Sequence, residues 1–204
     1  MRRVGPMRAT VTTRRLSAAA KRMLDLAGGL LLALLALLVA LPVALAILLE
    51  DGPPLFFAQE RLGRNGRPFR VWKFRTMWKN ADCLRAPARK GPDDPRITRV
   101  GRWLRRTSLD ELPQAWSILR GEMSLVGPRP LSAAETASLG PEAWRRLAVR
   151  PGLTGLWQVS GRSDLPMERM LELDLAYVEK ASLRLDCWIL LRTLPAVLTG
   201  RGAY

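Results

Sequence analysis

The feature that most constrains this chain is an unbroken run of 24 uncharged residues from Leu26 to Leu49. A helix needs about 20 consecutive apolar residues to cross the hydrocarbon core of a bilayer. A core helix in a small soluble domain is apolar along one stripe and polar elsewhere. Because this run is apolar on every side, it predicts a helix that is inserted into a membrane.

A helix of this kind can have three arrangements. A cleaved signal peptide is disfavoured, because the run exceeds the roughly 7–15 apolar residues of such a segment. A spanning helix has a suitable length, but seven Lys and Arg precede the run and 15 lie within residues 61–106. Since basic flanks prefer the cytoplasm, both ends favour one side. A re-entrant helix that bends at Pro42 satisfies both flanks, and a kinked spanning helix remains the alternative.

Composition limits the chemistry that the chain can perform. It has 33 Lys and Arg against 18 Asp and Glu, a net charge of +15, no histidine and only two cysteines, Cys83 and Cys187. Imidazole catalysis and four-cysteine zinc sites are therefore excluded. Carboxylates, hydroxyls, lysine and tyrosine are left to act, and the excess of positive charge favours an anionic partner.

Breakers and periodicity divide the chain into three parts. We expect a basic arm at residues 1–20, a membrane segment at 21–51 and a cytosolic domain at 52–204. The helix-breaking sequence Asp51-Gly52-Pro53-Pro54 ends the membrane segment. Asn65-Gly66 between short apolar segments at 55–59 and 69–74 predicts a β-hairpin. A polar stretch at 79–95 predicts a loop. Helical patterns follow at 100–107, 110–120, 132–148, 165–180 and 184–199. The predicted fold class is α+β and predominantly helical.

Two adjacent carboxylates, Asp110 and Glu111, are the first candidates for chemistry. Ser108 and Glu111 have the spacing of a capping box, so the acids are expected at a helix N-terminus, where the helix dipole lowers a carboxylate pKa. A phosphate can share such a site if Mg²⁺ lies between the charges. The simpler interpretation is that these residues only cap a helix.

Basic residues supply candidate phosphate contacts. Arg129 lies in Gly127-Pro128-Arg129-Pro130, where the flanking prolines fix the backbone and suit the guanidinium to bidentate phosphate binding. Lys73 and Arg75 share one face if their segment is a strand. Arg150 and Arg162 flank a glycine-containing stretch at 151–155, which either approaches a nucleotide or forms a plain turn. Each arginine or lysine can equally be a solvated surface residue.

Motifs in a fixed order resemble one family. Over about residues 20–204 the chain is similar to the bacterial sugar transferases, monotopic phosphoglycosyl transferases that transfer a sugar 1-phosphate from a nucleotide diphosphate sugar to polyprenyl phosphate. The matching motifs are Lys21-Arg22-x-x-Asp25, Phe56-Phe57-x-Gln59-x-Arg61-x-Gly63, Lys73-Phe74-Arg75-Thr76-Met77, Arg99-x-Gly101-x-x-Leu104-Arg105, Ser108-Leu109-Asp110-Glu111-Leu112-Pro113-Gln114, Gly121-x-Met123-Ser124-x-Val126-Gly127-Pro128-Arg129-Pro130, Arg150-Pro151-Gly152-x-Thr154-Gly155, Asp174-x-x-Tyr177-Val178 and Gly202-Ala203-Tyr204.

The resemblance implies a mechanism and a site. Asp110 would be the nucleophile and Glu111 its partner, with both holding Mg²⁺ and with a UDP-sugar and undecaprenyl phosphate as substrates. The expected substrate-binding residues are Lys73, Arg75, Arg105, Arg129, Arg150 and Asp174. For Asp174, pairing with a basic neighbour is the alternative to binding sugar or nucleotide hydroxyls.

The resemblance also implies a location. It favours the re-entrant arrangement, with membrane-surface helices and the catalytic domain on the cytoplasmic face of the bacterial inner membrane, beside anionic lipids. Some relatives have Ser-Pro at the helix break, whereas this chain has Leu41-Pro42. The product, polyprenyl diphosphate-sugar, would initiate polysaccharide or glycoconjugate synthesis. A direct transfer through a ternary complex and a membrane-anchored nucleic-acid-binding protein are the alternative functions, although no nucleic acid partner is expected.

Overall fold

The computed structural model describes residues 7–83 and 94–199. The Gly202-Ala203-Tyr204 motif and most of the expected loop at 79–95 lie outside these residues. The described part is mostly helical with two small sheets, which confirms the α+β class. The helices and strands are α1 Met7–Asp51, β1 Phe56–Leu62, β2 Pro68–Phe74, α2 Arg99–Thr107, α3 Ala115–Arg120, β3 Ser124–Val126, α4 Ala133–Ser138, β4 Gly152–Thr154, α5 Leu156–Val159, α6 Met167–Lys180 and α7 Leu183–Thr199.

Short 3₁₀ helices join several of these elements. They are Arg64–Gly66, Ala81–Cys83, Leu109–Gln114, Pro141–Ala148 and Arg162–Asp164. The main core lies between the hairpin, α3, β3 and the last two helices. Its buried side chains are Phe69, Val71, Ile118, Met123, Leu125, Val126, Tyr177 and Ile189.

The expected hairpin is confirmed. Strands β1 and β2 pair antiparallel over seven residues, from Phe56 opposite Phe74 to Leu62 opposite Pro68. The turn uses the left-handed region at Asn65, with φ of 59°, and at Gly66, with φ of 74°. An Asn-Gly pair adopts these angles at low cost, which is why the turn could be predicted.

The structure corrects the sequence interpretation between residues 124 and 154. Strands β3 and β4 form a parallel pair, with Ser124 opposite Gly152 and Val126 opposite Thr154. The single helix expected at 132–148 is instead α4 and a separate 3₁₀ helix, because Gly140 adopts a φ of 86° between them. Strands of three residues are too short to show an alternating pattern, so the sequence could not reveal this sheet.

Helix α1 runs without interruption from Met7 to Asp51, through Pro42. The break expected at Pro42 is therefore not observed as a gap in the helix, and residues 7–20, expected as an arm, continue it. Pro42 lies on the exposed face of the helix, away from the stripe that packs on the rest of the chain. The stretch Ala18–Asp51 is long and apolar enough to cross a membrane.

One stripe of α1 packs on the rest of the chain, and the opposite face is exposed. Asp25, Val43 and Ile47 are buried, whereas Leu37, Leu38 and Leu41 are each more than 70% exposed. The exposed leucines are Leu30, Leu31, Leu34, Leu35, Leu37, Leu38, Leu41, Leu45, Leu48 and Leu49. So large an apolar surface is unfavourable in water and indicates contact with lipid.

The N-terminal end of this packed stripe is fixed by polar contacts. Lys21 Nζ lies 2.7 Å from Asp186 Oδ2 and donates to the Val126 carbonyl oxygen at 3.1 Å. Asp25 is buried and accepts hydrogen bonds from Ser124 Oγ at 2.8 Å and from the Leu125 N–H at 2.9 Å. These contacts attach the start of the apolar run to β3 and α7.

The C-terminal end is attached to the same domain. Glu50 accepts hydrogen bonds from the N–H groups of Arg99 at 2.7 Å and Val100 at 3.0 Å, so it caps the first turn of α2. Asp51 pairs with Arg75 Nη2 at 3.2 Å and accepts from the Lys79 N–H at 2.9 Å. Both ends of the apolar helix therefore contact one folded unit.

The close approach of β3 and β4 gives a prediction about stability. A Cβ on Gly152 would lie 2.0 Å from the backbone nitrogen of Gly127, so Gly152→Ala must push the two strands apart. We expect a loss of roughly 2 kcal/mol or more in the free energy of unfolding. At Gly66, where φ is 74°, no atom lies within 4 Å of the added Cβ, so Gly66→Ala should cost about 1 kcal/mol through backbone strain alone. Equal losses in chemical denaturation would contradict this packing.

Candidate active site

Asp110 and Glu111 lie in the first turn of the 3₁₀ helix Leu109–Gln114, between α2 and α3. Ser108 ends α2 in the left-handed conformation with φ of 57°, and its side chain makes no capping hydrogen bond. The acids lie at a helix N-terminus as expected, but the expected capping box is wrong, because Ser108 joins α2 to the 3₁₀ helix in a left-handed conformation and its side chain caps neither. The sharp turn at Ser108 brings both carboxylates back over the end of β2.

Lys73 at the end of β2 provides the closest positive charge. Its Nζ lies 2.5 Å from Glu111 Oε1 and 3.9 Å from Asp110 Oδ2. Lys73 also lowers the pKa of Glu111 below its usual value, with help from Arg129, even though burial opposes ionisation. The contact joins a strand residue to the two carboxylates, 38 positions further along the chain.

Asp110 behaves differently from its neighbour. Its side chain is only 8% exposed, and burial raises its pKa to about 6, with the negative Glu111 adding to the rise and Lys73 opposing it. The helix dipole was expected to lower this pKa. That expectation is wrong for Asp110, because removal from water outweighs the dipole of a single short 3₁₀ turn.

Three arginines place further positive charge around the pair. Arg105 donates through Nε to Thr76 Oγ1 at 2.9 Å, and its charge acts to lower the pKa of Asp110. The charges of Arg129 and Arg162 act in the same way on Glu111. In the sequence Arg162 only flanks a glycine-containing stretch, and the effect of its charge on Glu111 arises from the fold.

Arg129 is held by two contacts, one through its side chain and one through its backbone. Its guanidinium carbon lies 5.1 Å from the centroid of the Trp157 ring, and its carbonyl oxygen accepts from Arg146 Nη2 at 2.6 Å. Arg146 in turn pairs with the fully buried Asp174 at 2.5 Å. The structure thus shows Asp174 paired with a basic neighbour, and this pair supports the Arg129 turn.

The structure does not bring Arg75 or Arg150 to the carboxylates. Arg75 is buried, donates to the Gly52 carbonyl oxygen at 2.6 Å and pairs with Asp51, so it fixes the end of α1. Arg150 is half-buried beside β4. The glycine-containing stretch at 151–155 forms that strand, and its close approach is to the backbone of Gly127 rather than to open space.

The two carboxylates suit a magnesium ion, which the sequence leads us to expect. They are adjacent in sequence and already attract the ammonium group of Lys73. Within residues 7–83 and 94–199, no cluster of three or more Asp, Glu, Cys or His side chains forms a complete metal cage. Mg²⁺ commonly uses only one or two carboxylates and completes its shell with water and substrate phosphate, so the donors fit.

Comparison with known proteins settles the family. The model of the bacterial sugar transferase family matches residues 16–200. The chain belongs to the bacterial sugar transferase family. It is 43% identical over 198 residues to a UDP-galactose-lipid carrier transferase of Erwinia amylovora, covering 90% of this chain and 41% of that protein.

Two further relatives extend the comparison. Over 221 residues this sugar transferase is 42% identical to an undecaprenyl-phosphate glucose phosphotransferase of Komagataeibacter xylinus, covering 99% of this chain and 41% of that protein. Over 192 residues it is 43% identical to the exopolysaccharide production protein ExoY of Sinorhizobium fredii, covering 85% of each. The chain therefore spans about two fifths of the longer relatives and most of ExoY.

The buried Arg146–Asp174 pair predicts a large effect on stability. Asp174→Ala leaves the Arg146 charge buried without its partner, so we expect a loss of about 3–5 kcal/mol in the free energy of unfolding. Glu179→Ala on the same helix breaks only an exposed pair with Arg145 and should change little. Thermal and denaturant unfolding of both variants measures the difference, and a small loss for Asp174→Ala would contradict the proposed support of the Arg129 turn.

Proposed function

We propose that this sugar transferase moves a sugar 1-phosphate from a UDP-sugar to a polyprenyl phosphate such as undecaprenyl phosphate, releasing UMP. The observation that carries the proposal is a buried carboxylate, Asp110, among a lysine and three arginines. Phosphoryl transfer needs a placed nucleophile and positive charge around the phosphates. Relatives named for galactose and glucose transfer to a lipid carrier support hexose 1-phosphate as the transferred group.

In the first step, an oxygen of Asp110 attacks the phosphorus that bears the sugar. The bond between that phosphorus and the bridging oxygen of UMP breaks, and UMP leaves with the electron pair. The product is an acyl phosphate that links the sugar phosphate to Asp110. A carboxylate is a suitable nucleophile in a chain that has no histidine.

In the second step, a phosphate oxygen of the polyprenyl phosphate attacks the same phosphorus. The bond to Asp110 breaks, which regenerates the carboxylate and leaves a polyprenyl diphosphate-sugar. One phosphoanhydride has replaced another through an acyl phosphate, so the overall transfer requires no further energy source. We propose that the product initiates polysaccharide or glycoconjugate synthesis, as the name of ExoY suggests for that relative.

The surrounding residues have separate roles in this mechanism. Lys73 and Arg105 lie closest to Asp110 and would stabilise the charge that develops at the transferred phosphate. Arg129, stacked on Trp157 and held through its carbonyl, would bind the phosphate of the nucleotide. Glu111 keeps Lys73 in place beside the nucleophile.

Mg²⁺ is the proposed cofactor, held by Asp110 and Glu111. When bound, the ion would neutralise part of the negative charge of the pyrophosphate. Its addition also explains how a dianionic substrate can approach two carboxylates. The residues of the chain remain responsible for nucleophilic attack and for orienting the substrate.

We further propose that α1 is re-entrant and that the site faces the cytoplasm at the inner membrane. A spanning helix would place its two ends on opposite sides of about 30 Å of hydrocarbon, whereas one polar domain binds both ends of α1. The outward face of α7 is also apolar, with Trp188 44%, Leu191 69% and Leu198 86% exposed. These surfaces support attachment to the membrane beside anionic lipids.

A nucleic-acid-binding protein explains these features less well. The net charge of +15 alone would support nonspecific binding. However, Lys73 and three arginines act on two carboxylates. These carboxylates would repel an anionic polymer unless a cation lay between them. Direct transfer through a ternary complex is the more serious alternative, and the following experiment separates it from the covalent route.

The covalent intermediate gives the first functional prediction. Wild-type protein incubated with sugar-labelled UDP-sugar and Mg²⁺, but without acceptor, should release UMP and retain label on the protein. Asp110→Asn should lose the label because an amide cannot attack, whereas Glu142→Gln, at an exposed position, should keep it. Release of UMP only after addition of polyprenyl phosphate would indicate the ternary route instead.

The pKa of Asp110 gives the second functional prediction. At lower pH this carboxyl is increasingly protonated and cannot attack, so the rate of UMP release should rise with pH, reach half its maximum near pH 6 and level at higher pH. Lys73 lowers the pKa of Asp110, so Lys73→Met should move the rise to higher pH. Lys79→Met, at an exposed position, is the matched control and should leave the profile unchanged. An unshifted profile for Lys73→Met would contradict the assigned electrostatics.

A further inference from the structure

A groove between β2 and α3 has no part in the proposed reaction. It has a volume of about 280 Å³ and is lined by Arg70, Trp72, Trp116, Ser117, Arg120 and Glu122. We call it the Trp72–Trp116 groove. Its two indole rings are 38% and 59% exposed, which is unfavourable in water but typical of tryptophan at a membrane–water interface.

The groove lies beside α1 where that helix changes from charged to apolar. Arg22, on the charged side, donates to the carbonyl oxygens of Ile118 at 2.8 Å and Leu119 at 2.7 Å, at the end of α3. Gly29, inside the apolar run, packs against the side chains of the same two residues. If the apolar run lies in the hydrocarbon, the adjacent groove therefore lies at the level of the lipid headgroups.

The groove does not open onto the carboxylates. Side chains alternate between the two faces of β2. Arg70 and Trp72 are exposed on one face. On the other face, Val71 is buried and Lys73 contacts Glu111. The groove is therefore separate from the site where the acceptor phosphate must react, and a resident lipid would not block the transfer.

The charges of the groove favour an anion. Arg70 and Arg120 are set against Glu122, which lies 3.5 Å from Arg120 Nε. Arg70 has no ion pair with another residue of the described ranges, although Glu60 lies opposite it in the strand register. A guanidinium without a partner, beside exposed indole rings, matches a phosphodiester group attached to an apolar body.

From this placement we propose that the Trp72–Trp116 groove binds the headgroup of an anionic bilayer phospholipid. The phosphodiester would lie between Arg70 and Arg120, and the glycerol and the start of the acyl chains would lie against Trp72 and Trp116. The acyl chains would continue along the exposed leucines of α1. The bound lipid would fix the height of the domain at the membrane surface.

Native mass spectrometry of the full chain in non-ionic detergent tests the proposal. Phosphatidylglycerol is titrated and the fraction of protein that retains one lipid is measured, with phosphatidylcholine of the same chains and inorganic phosphate as separate arms. We expect saturable binding of phosphatidylglycerol. Loss of a charged hydrogen bond costs about 1.5 kcal/mol or more, so Arg70→Gln with Arg120→Gln should weaken it about tenfold or more.

Matched controls use a tryptophan and an arginine that are exposed elsewhere. Trp116→Ala should weaken binding, whereas Trp144→Ala and Arg169→Gln should not. Equal binding of phosphatidylglycerol by the double variant and the wild type, or equal retention of phosphatidylcholine, would overturn the proposal. So would displacement of the lipid by inorganic phosphate, which would indicate a simple anion site. Formation of the protein-bound label from UDP-sugar reports folding and the transferase reaction independently.

Discussion

Attachment of both ends of one apolar helix to the same folded domain is the constraint on which the rest of this structure depends. At one end, Asp25 is buried and must accept hydrogen bonds from β3 to avoid a large desolvation cost. At the other, Glu50 caps α2. A leucine face that water disfavours is left between these two anchors, and lipid is the environment that accepts it.

The same anchors reach the candidate site. Lys21 donates to the carbonyl of Val126, the residue that directly precedes the turn carrying Arg129. At the opposite end, the helix that Glu50 caps leads directly to Ser108 and then to Asp110. The proposed nucleophile, Asp110, and the proposed phosphate-binding residue, Arg129, are therefore each positioned from one end of α1, which suits the proposed reaction between a soluble donor and a lipid acceptor.

Local features of the sequence could be predicted, and features made by distant contacts could not. The hairpin at Asn65 follows from turn chemistry. The adjacent carboxylates Asp110 and Glu111 are candidates from the sequence itself, and the family resemblance adds the expected role of Asp110 as nucleophile. In contrast, the raised pKa of Asp110 depends on burial by several elements, which no local pattern records. The support of Arg129 by Arg146 and Asp174 joins residues up to 45 positions apart, and the contribution of Arg162 is equally remote in sequence.

Labelling of introduced cysteines tests the two-ended attachment most directly. In a Cys83→Ser, Cys187→Ser background, Ala20→Cys and Phe57→Cys each place one thiol at an exposed position just outside the apolar run. A membrane-impermeant thiol reagent is applied to inner-membrane vesicles of both orientations. The two-ended attachment predicts that both thiols react in the same vesicle orientation, and the proposed cytoplasmic site predicts that this orientation is inside-out. Reaction of the two thiols from opposite sides would show a spanning helix and contradict the account.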